Sequence, residues 1–193
     1  MRQGYAGSED CLYLNLYRPS GTDASSSLPV MVRFASVVVV DEDDDLKWQV
    51  FIPGGAFVQG DITYGNGTDM VYNGTFLATK HNSIVVFIQY RINVFGFLAL
   101  PQLMAESPYG TTGNYGLQDQ RLGLVWVQDN IAGFGGDPGR VMLFGESAGG
   151  TSAAYHLTSP ASAGLFSSVL LESAVASNPE YVAMLPIERG AIS

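Results

Sequence analysis

An α/β fold with a mostly parallel sheet and helices on both faces is the architecture this sequence predicts, and three observations predict it. Four short runs rich in β-branched or aromatic residues, VFI (50–52), SIVVFIQY (83–90), RVMLFG (140–145) and SSVLLES (167–173), read as strands buried on both faces. Helical stretches separate them: LQDQRLGLVWVQDNI places Leu122, Val125 and Trp126 at helical spacing, and SAGGTSAAYHL follows Ser147 with no breaker other than glycine. Strands that alternate with helices build parallel sheets.

In chain order, CLYLNLYRP (11–19) alternates Leu12, Leu14 and Leu16 on one side, the pattern of a half-buried strand, and Pro19 closes it. SGTDASSSLP reads as a loop, and LPVM (28–31) as the start of a core strand. His81 is read as opening the strand around SIVVFIQY. GFGGDPG (133–139) has the glycines of a phosphate loop but precedes a strand instead of opening a helix, so it is a turn.

At 193 residues, 47% hydrophobic, the chain is long enough for one core and too apolar for disorder. Its longest apolar runs, such as IVVFI (84–88), are far short of a membrane span, and MRQGYAGSED has no apolar stretch that could serve as a signal peptide. Eighteen acidic against nine basic side chains give a net charge of −9, which repels nucleic acid and anionic membrane and suits an uncharged small-molecule substrate. Cys11 is the only cysteine, so the chain forms no internal disulfide; a reducing compartment or a cysteine outside the chain would each account for it.

The chemistry sits at two places. In FGESAGG (144–150) Ser147 lies between Gly145 and Gly149, after a strand and before a helix. That G-x-S-x-G arrangement is a nucleophile elbow: small neighbours let the backbone take a strained conformation, and the serine oxygen is exposed at the carboxyl edge of the sheet with a helix N-terminus behind it. Glu146 reads as a buried, hydrogen-bonded support of this turn. The second place is PGGAF (53–57), a glycine turn that can aim backbone N–H groups at an ester carbonyl together with the N–H of Ala148. Such chemistry needs no metal and no cofactor.

SEDCLYLNLYRP, PGGAFVQGD, QYRINVFGFL, LTSP and the long run from Gly113 to Gly150 are similar to successive landmarks of the type-B carboxylesterase family, which includes cholinesterases and fungal lipases. The resemblance implies an α/β-hydrolase fold that cleaves carboxylic esters, lipid esters among them, through an acyl-enzyme on Ser147, with Gly55, Ala56 and Ala148 as oxyanion donors. The sequence departs from the family at Ala56, where glycine is commoner, and at Pro53, where histidine or an aromatic is; neither removes a needed N–H.

In this fold the triad runs serine, acid, histidine along the chain. His156 alone follows Ser147, nine residues along the same helix and about 13 Å away, out of reach of the serine oxygen. Glu172, Glu180 and Glu188 are the acids available, and the resemblance puts both triad partners beyond this C-terminus. The expectation is therefore a partial hydrolase domain over 1–193, truncated at both ends and inactive or nearly so by itself. The resemblance also implies that Cys11 pairs with an upstream cysteine, and that the parent enzyme is secreted. Asn66 and Asn73, each in an NGT sequon, are then glycosylation candidates. Two other readings stand beside the esterase: a catalytically silent, cholinesterase-like adhesion protein, and a gene-model fragment never made as a stable protein.

One segment fits none of this. VRFASVVVVDEDDDLKWQ (32–49) interrupts what would otherwise read LPVMVFIPGGAF, a continuous apolar strand entering a glycine turn. Five consecutive acids cannot share a buried strand without partners. The segment is an atypical acidic insertion, read either as a solvated loop or as a retained intron, since valine codons begin with GT and glutamine can be encoded by CAG.

Overall fold

The computed structural model describes residues 10–34, 55–58 and 73–174. Among these, five strands form one sheet: β1 (Leu14–Tyr17), β2 (Leu28–Phe34), β3 (Ile84–Ile88), β4 (Gly136–Glu146) and β5 (Ser168–Glu172), in the spatial order β1-β3-β2-β4-β5. β1 runs antiparallel to β3, and the remaining pairings are parallel. The connections hold α1 (Thr75–His81), α2 (Asn93–Phe97), α3 (Pro101–Glu106), α4 (Tyr115–Asn130) and α5 (Ala148–Thr158). No helix among the described residues is long and apolar enough to cross a membrane.

All five residues of β3 are buried, as its unbroken apolar run predicts. On one face, Ile84, Val86 and Ile88 meet Val30 and Val32 of β2, Val141 and Leu143 of β4, and Leu124, Val127 and Ala153 from α4 and α5. Each such aliphatic side chain contributes about 1.5–3 kcal/mol when fully buried. Helix α4 lies so close that a Cβ at Gly123 would come within 2.7 Å of the Ile88 side chain. Alternate residues face the other way: Phe87 meets Tyr17 edge-on, 5.7 Å between centroids, and a Cβ at Gly74, which precedes α1, would sit 3.1 Å from the Phe87 ring. Helices therefore flank both faces of the sheet.

Several local expectations change. Leu122 is 62% exposed, and the buried stripe of α4 is instead Gly116, Asp119, Gln120, Leu124 and Val127. Hydrophobicity alone hides that stripe because two of its members are polar residues whose partners come from other elements. β5 is not buried on both faces: Leu170 and Leu171 are 45% and 40% exposed, since β5 is an edge strand among the described residues. The alternating strand near the start begins at Leu14, leaving Leu12 exposed while Leu14 and Leu16 pack on the core. His81 closes α1 instead of opening β3; Asn82 then turns the chain at φ 47. In GFGGDPG the expected turn is made at Gly135, φ 90, where a Cβ would meet the Asp23 carbonyl at 2.3 Å.

β2 continues past Met31 through Val32, Arg33 and Phe34, three residues into the acidic insertion, in register with β3 and β4. The acids 41–45 and the expected strand 50–52 lie outside the described residues.

Candidate active site

Because β2 to β5 are parallel, their carboxyl ends share one edge, and β4 delivers Ser147 to it. Ser147 adopts φ 52, ψ −116, outside every region an L-residue favours, at a cost of about 1–3 kcal/mol. Two neighbouring backbones hold it there. The Ser147 N–H donates to the Glu172 carbonyl at 2.8 Å, and the Ser147 carbonyl accepts from the Thr151 N–H at 2.8 Å, starting α5. Strand and helix touch so closely that a Cβ at Gly145 would lie 2.3 Å from the Gly149 carbonyl carbon. This is the tight turn expected of Gly145 and Gly149. Sequence reasoning missed Gly150, where a Cβ would lie 2.7 Å from the Glu172 carbonyl oxygen and 2.8 Å from that of Gly145. Only the strand pairing shows that Glu172 lies against it.

Ser147 is half-buried, Ala148 is 3% exposed, and Glu146 is buried as expected. The first amides of α5 have no carbonyl within the helix to bond, and the aligned peptide dipoles favour negative charge beside them.

The second predicted turn is anchored to the same edge. Gly55 is buried, Ala56 and Phe57 take φ 46 and φ 63, and the Val58 N–H closes the turn on the Gly55 carbonyl at 2.7 Å. The Phe57 carbonyl accepts from the Asn93 N–H at 2.6 Å, and its ring lies 5.0 Å from Phe97. Asn93 follows β3 as Ser147 follows β4, so the turn and the serine share the carboxyl edge. The loop after β3 is fixed in turn by Asp119, whose carboxylate accepts from the Arg91 backbone N–H at 3.0 Å and from the guanidinium Nε and Nη2 at 2.7 and 2.8 Å.

Neither histidine is brought to Ser147. His81 lies before β3, at the opposite edge of the sheet. His156 is 4% exposed and belongs to a buried chain of hydrogen bonds: its Nδ1 bonds Ser162 at 2.8 Å and its Nε2 bonds the Gln120 side-chain oxygen at 3.1 Å. Gln120 donates to Ser152 at 3.0 Å, and Ser152 donates to the Ala148 carbonyl at 2.9 Å. Burial lowers the His156 pKa to about 4, so the ring is neutral at pH 7. With Gln120 accepting, the proton sits on Nε2 and Nδ1 accepts from Ser162, a sequence in which every member is satisfied. Burial, then the charge of Asp119, raises the Cys11 thiol pKa above its ordinary value. Asn73 is exposed, its side-chain oxygen accepting from the Thr75 N–H at 3.0 Å. Asn66, Glu180 and Glu188 lie outside the described residues.

Three comparisons bear on this arrangement. The model of the carboxylesterase family matches residues 1–190. Acylcarnitine hydrolase of Mus musculus is 41% identical over 182 residues, 94% of this chain and 27% of that protein. Cocaine esterase of Homo sapiens is 43% identical over 176 residues, 91% of this chain and 26% of that protein. Among solved structures, a thermophilic PNB esterase superposes with a TM-score of 0.64 at 39% identity, over 86% of this chain and 29% of that one. The chain thus spans little more than a quarter of these relatives.

Proposed function

The chain belongs to the carboxylesterase family, and on that premise we propose that it carries the nucleophile half of a serine carboxylic-ester hydrolase. The observation that carries this reading is Ser147 at φ 52 between the end of a parallel strand and the start of a helix. In the proposed reaction the Ser147 hydroxyl oxygen attacks the ester carbonyl, the carbonyl π electrons move onto oxygen, and the tetrahedral oxyanion lies against the N–H groups of Gly55, Ala56 and Ala148. Collapse expels the alcohol and leaves an acyl-serine that water cleaves. A donor of this kind contributes about 3–4 kcal/mol of transition-state stabilisation. The hydroxyl is a poor nucleophile until a base takes its proton, and the proposal gives that role to neither His81, which precedes β3, nor His156, which is hydrogen-bonded to Ser162 and Gln120. The triad acid and histidine are assigned to the part of the enzyme that this chain does not span, which leaves the 193 residues alone with little or no turnover. Small-molecule or lipid esters are the proposed substrates. Glycosylation at exposed Asn73 and at Asn66 accompanies this reading if the enzyme is secreted.

The test is a chimera. Residues 10–174 of this chain replace the matching part of the thermophilic PNB esterase, and hydrolysis of p-nitrophenyl butyrate is followed with and without Ser147→Ala. Turnover that disappears in the variant supports the assignment; a folded chimera with no turnover, or one indifferent to the substitution, removes it. In parallel, the 193-residue chain is assayed alone. Rapid hydrolysis lost in Ser147→Ala there would reveal a base within the chain.

A further inference from the structure

The end of β2 carries the inference. Val32 pairs with Val86 and Leu143, Arg33 with Phe87 and Phe144, and Phe34 with Ile88. These are central positions of the sheet: Val86 and Leu143 are fully buried, Phe87 is 1% exposed and Phe144 3%. In this register position 33, between Phe87 and Phe144, holds arginine in the present chain, whereas apolar residue types are the ones that most often fill buried rows. Eighteen residues further on, Val50, Phe51 and Ile52 repeat the strand in a form that suits each position: valine between Val86 and Leu143, phenylalanine between Phe87 and Phe144, isoleucine beside Ile88.

We infer that residues 32–49 are the translation of a retained intron, and that the functional polypeptide joins Met31 directly to Val50, so that Val50, Phe51 and Ile52 complete β2. The inference rests on the pairing of β2 and not on the role given to Ser147, but it has a consequence for that role. In the shorter chain only Pro53 and Gly54 separate the end of β2 from Gly55, so the strand itself delivers the glycine turn to the carboxyl edge. In the present chain twenty residues, 35–54, intervene between Phe34 and Gly55. The coding constraints agree. Val32 requires a codon that begins GT, as introns do, Gln49 permits CAG, which ends as introns do, and the eighteen codons stay in frame. The segment also removes three net negative charges when it leaves, because five acids depart with Arg33 and Lys47.

The transcript is sequenced across codons 28–55, and the full chain and the form lacking 32–49 are compared by thermal melting and by amide exchange at Val85, Val86 and Phe87. The expected result is a message joining codon 31 to codon 50, together with a shorter chain that melts roughly 5 °C or more higher and exchanges at least about tenfold more slowly at those amides. Read-through in every transcript overturns the inference. So does a shorter chain that melts no higher than the full one. Neither readout depends on ester hydrolysis, so the assignment of Ser147 stands or falls separately.

Discussion

The N–H of Ser147 donates to the carbonyl of Glu172 at 2.8 Å, so the strained turn between β4 and α5 is held from the side by the last residue of β5. Gly150 and Gly145 make that approach possible, because a Cβ at either would collide with backbone and not with the movable end of a side chain. Replacing Gly145 or Gly150 by alanine is expected to cost about 3 kcal/mol or more, the range of overpacking against a rigid neighbour. Gly133→Ala, where a Cβ meets nothing within 4 Å, is the control and should stay within about 0.5 kcal/mol of the parent. Urea melts of the three variants decide this. An unaffected Gly145→Ala would mean that β4 and α5 can separate.

Ser147→Gly should stabilise the chain while Ser147→Ala should not. Glycine tolerates φ 52 without a Cβ penalty, whereas alanine keeps the strain. The expected gain is about 1 kcal/mol, read as a rise in melting temperature. Equal melting of the two variants would show that the turn stores no strain at this residue.

Stability should fall in mild acid through His156. Its folded pKa of about 4 lies below the ordinary 6.5, so the unfolded chain takes up a proton that the folded chain refuses. The contribution is complete above pH 6.5 and is lost as the pH falls toward 4, where the folded ring also protonates. The loss over that window is on the order of 3 kcal/mol. Denaturation midpoints measured across it, with His156→Gln alongside to remove the titration, should diverge in slope. Parallel slopes would show that His156 titrates normally in the folded chain.

The exposed edge of β5 should dominate association of the isolated chain. Leu170 and Leu171 are 45% and 40% exposed on a strand whose outer side is unpaired among the described residues. Leu170→Lys places a charge on that edge, the device by which natural sheets discourage strand addition. Light scattering during heating should show aggregation delayed by the substitution, with the melting temperature changed by less than a few degrees. Aggregation unchanged in Leu170→Lys would place the sticky surface elsewhere.

The α/β class, the buried interior strand β3, the turn at Ser147 and the tight contact of Gly145 with α5 were all legible in the sequence. Each is encoded locally: an unbroken apolar run, or a glycine beside a residue that must turn sharply. The tertiary structure alone decided which residues lie across from one another. It put the Glu172 carbonyl over Ser147, tied Gln120, His156, Ser152 and Ser162 into one satisfied chain, and exposed Leu122 while burying Asp119. A polar side chain buried against a partner tens of residues away carries no periodic hydrophobic signal, so its burial cannot be read until the partner's position is known.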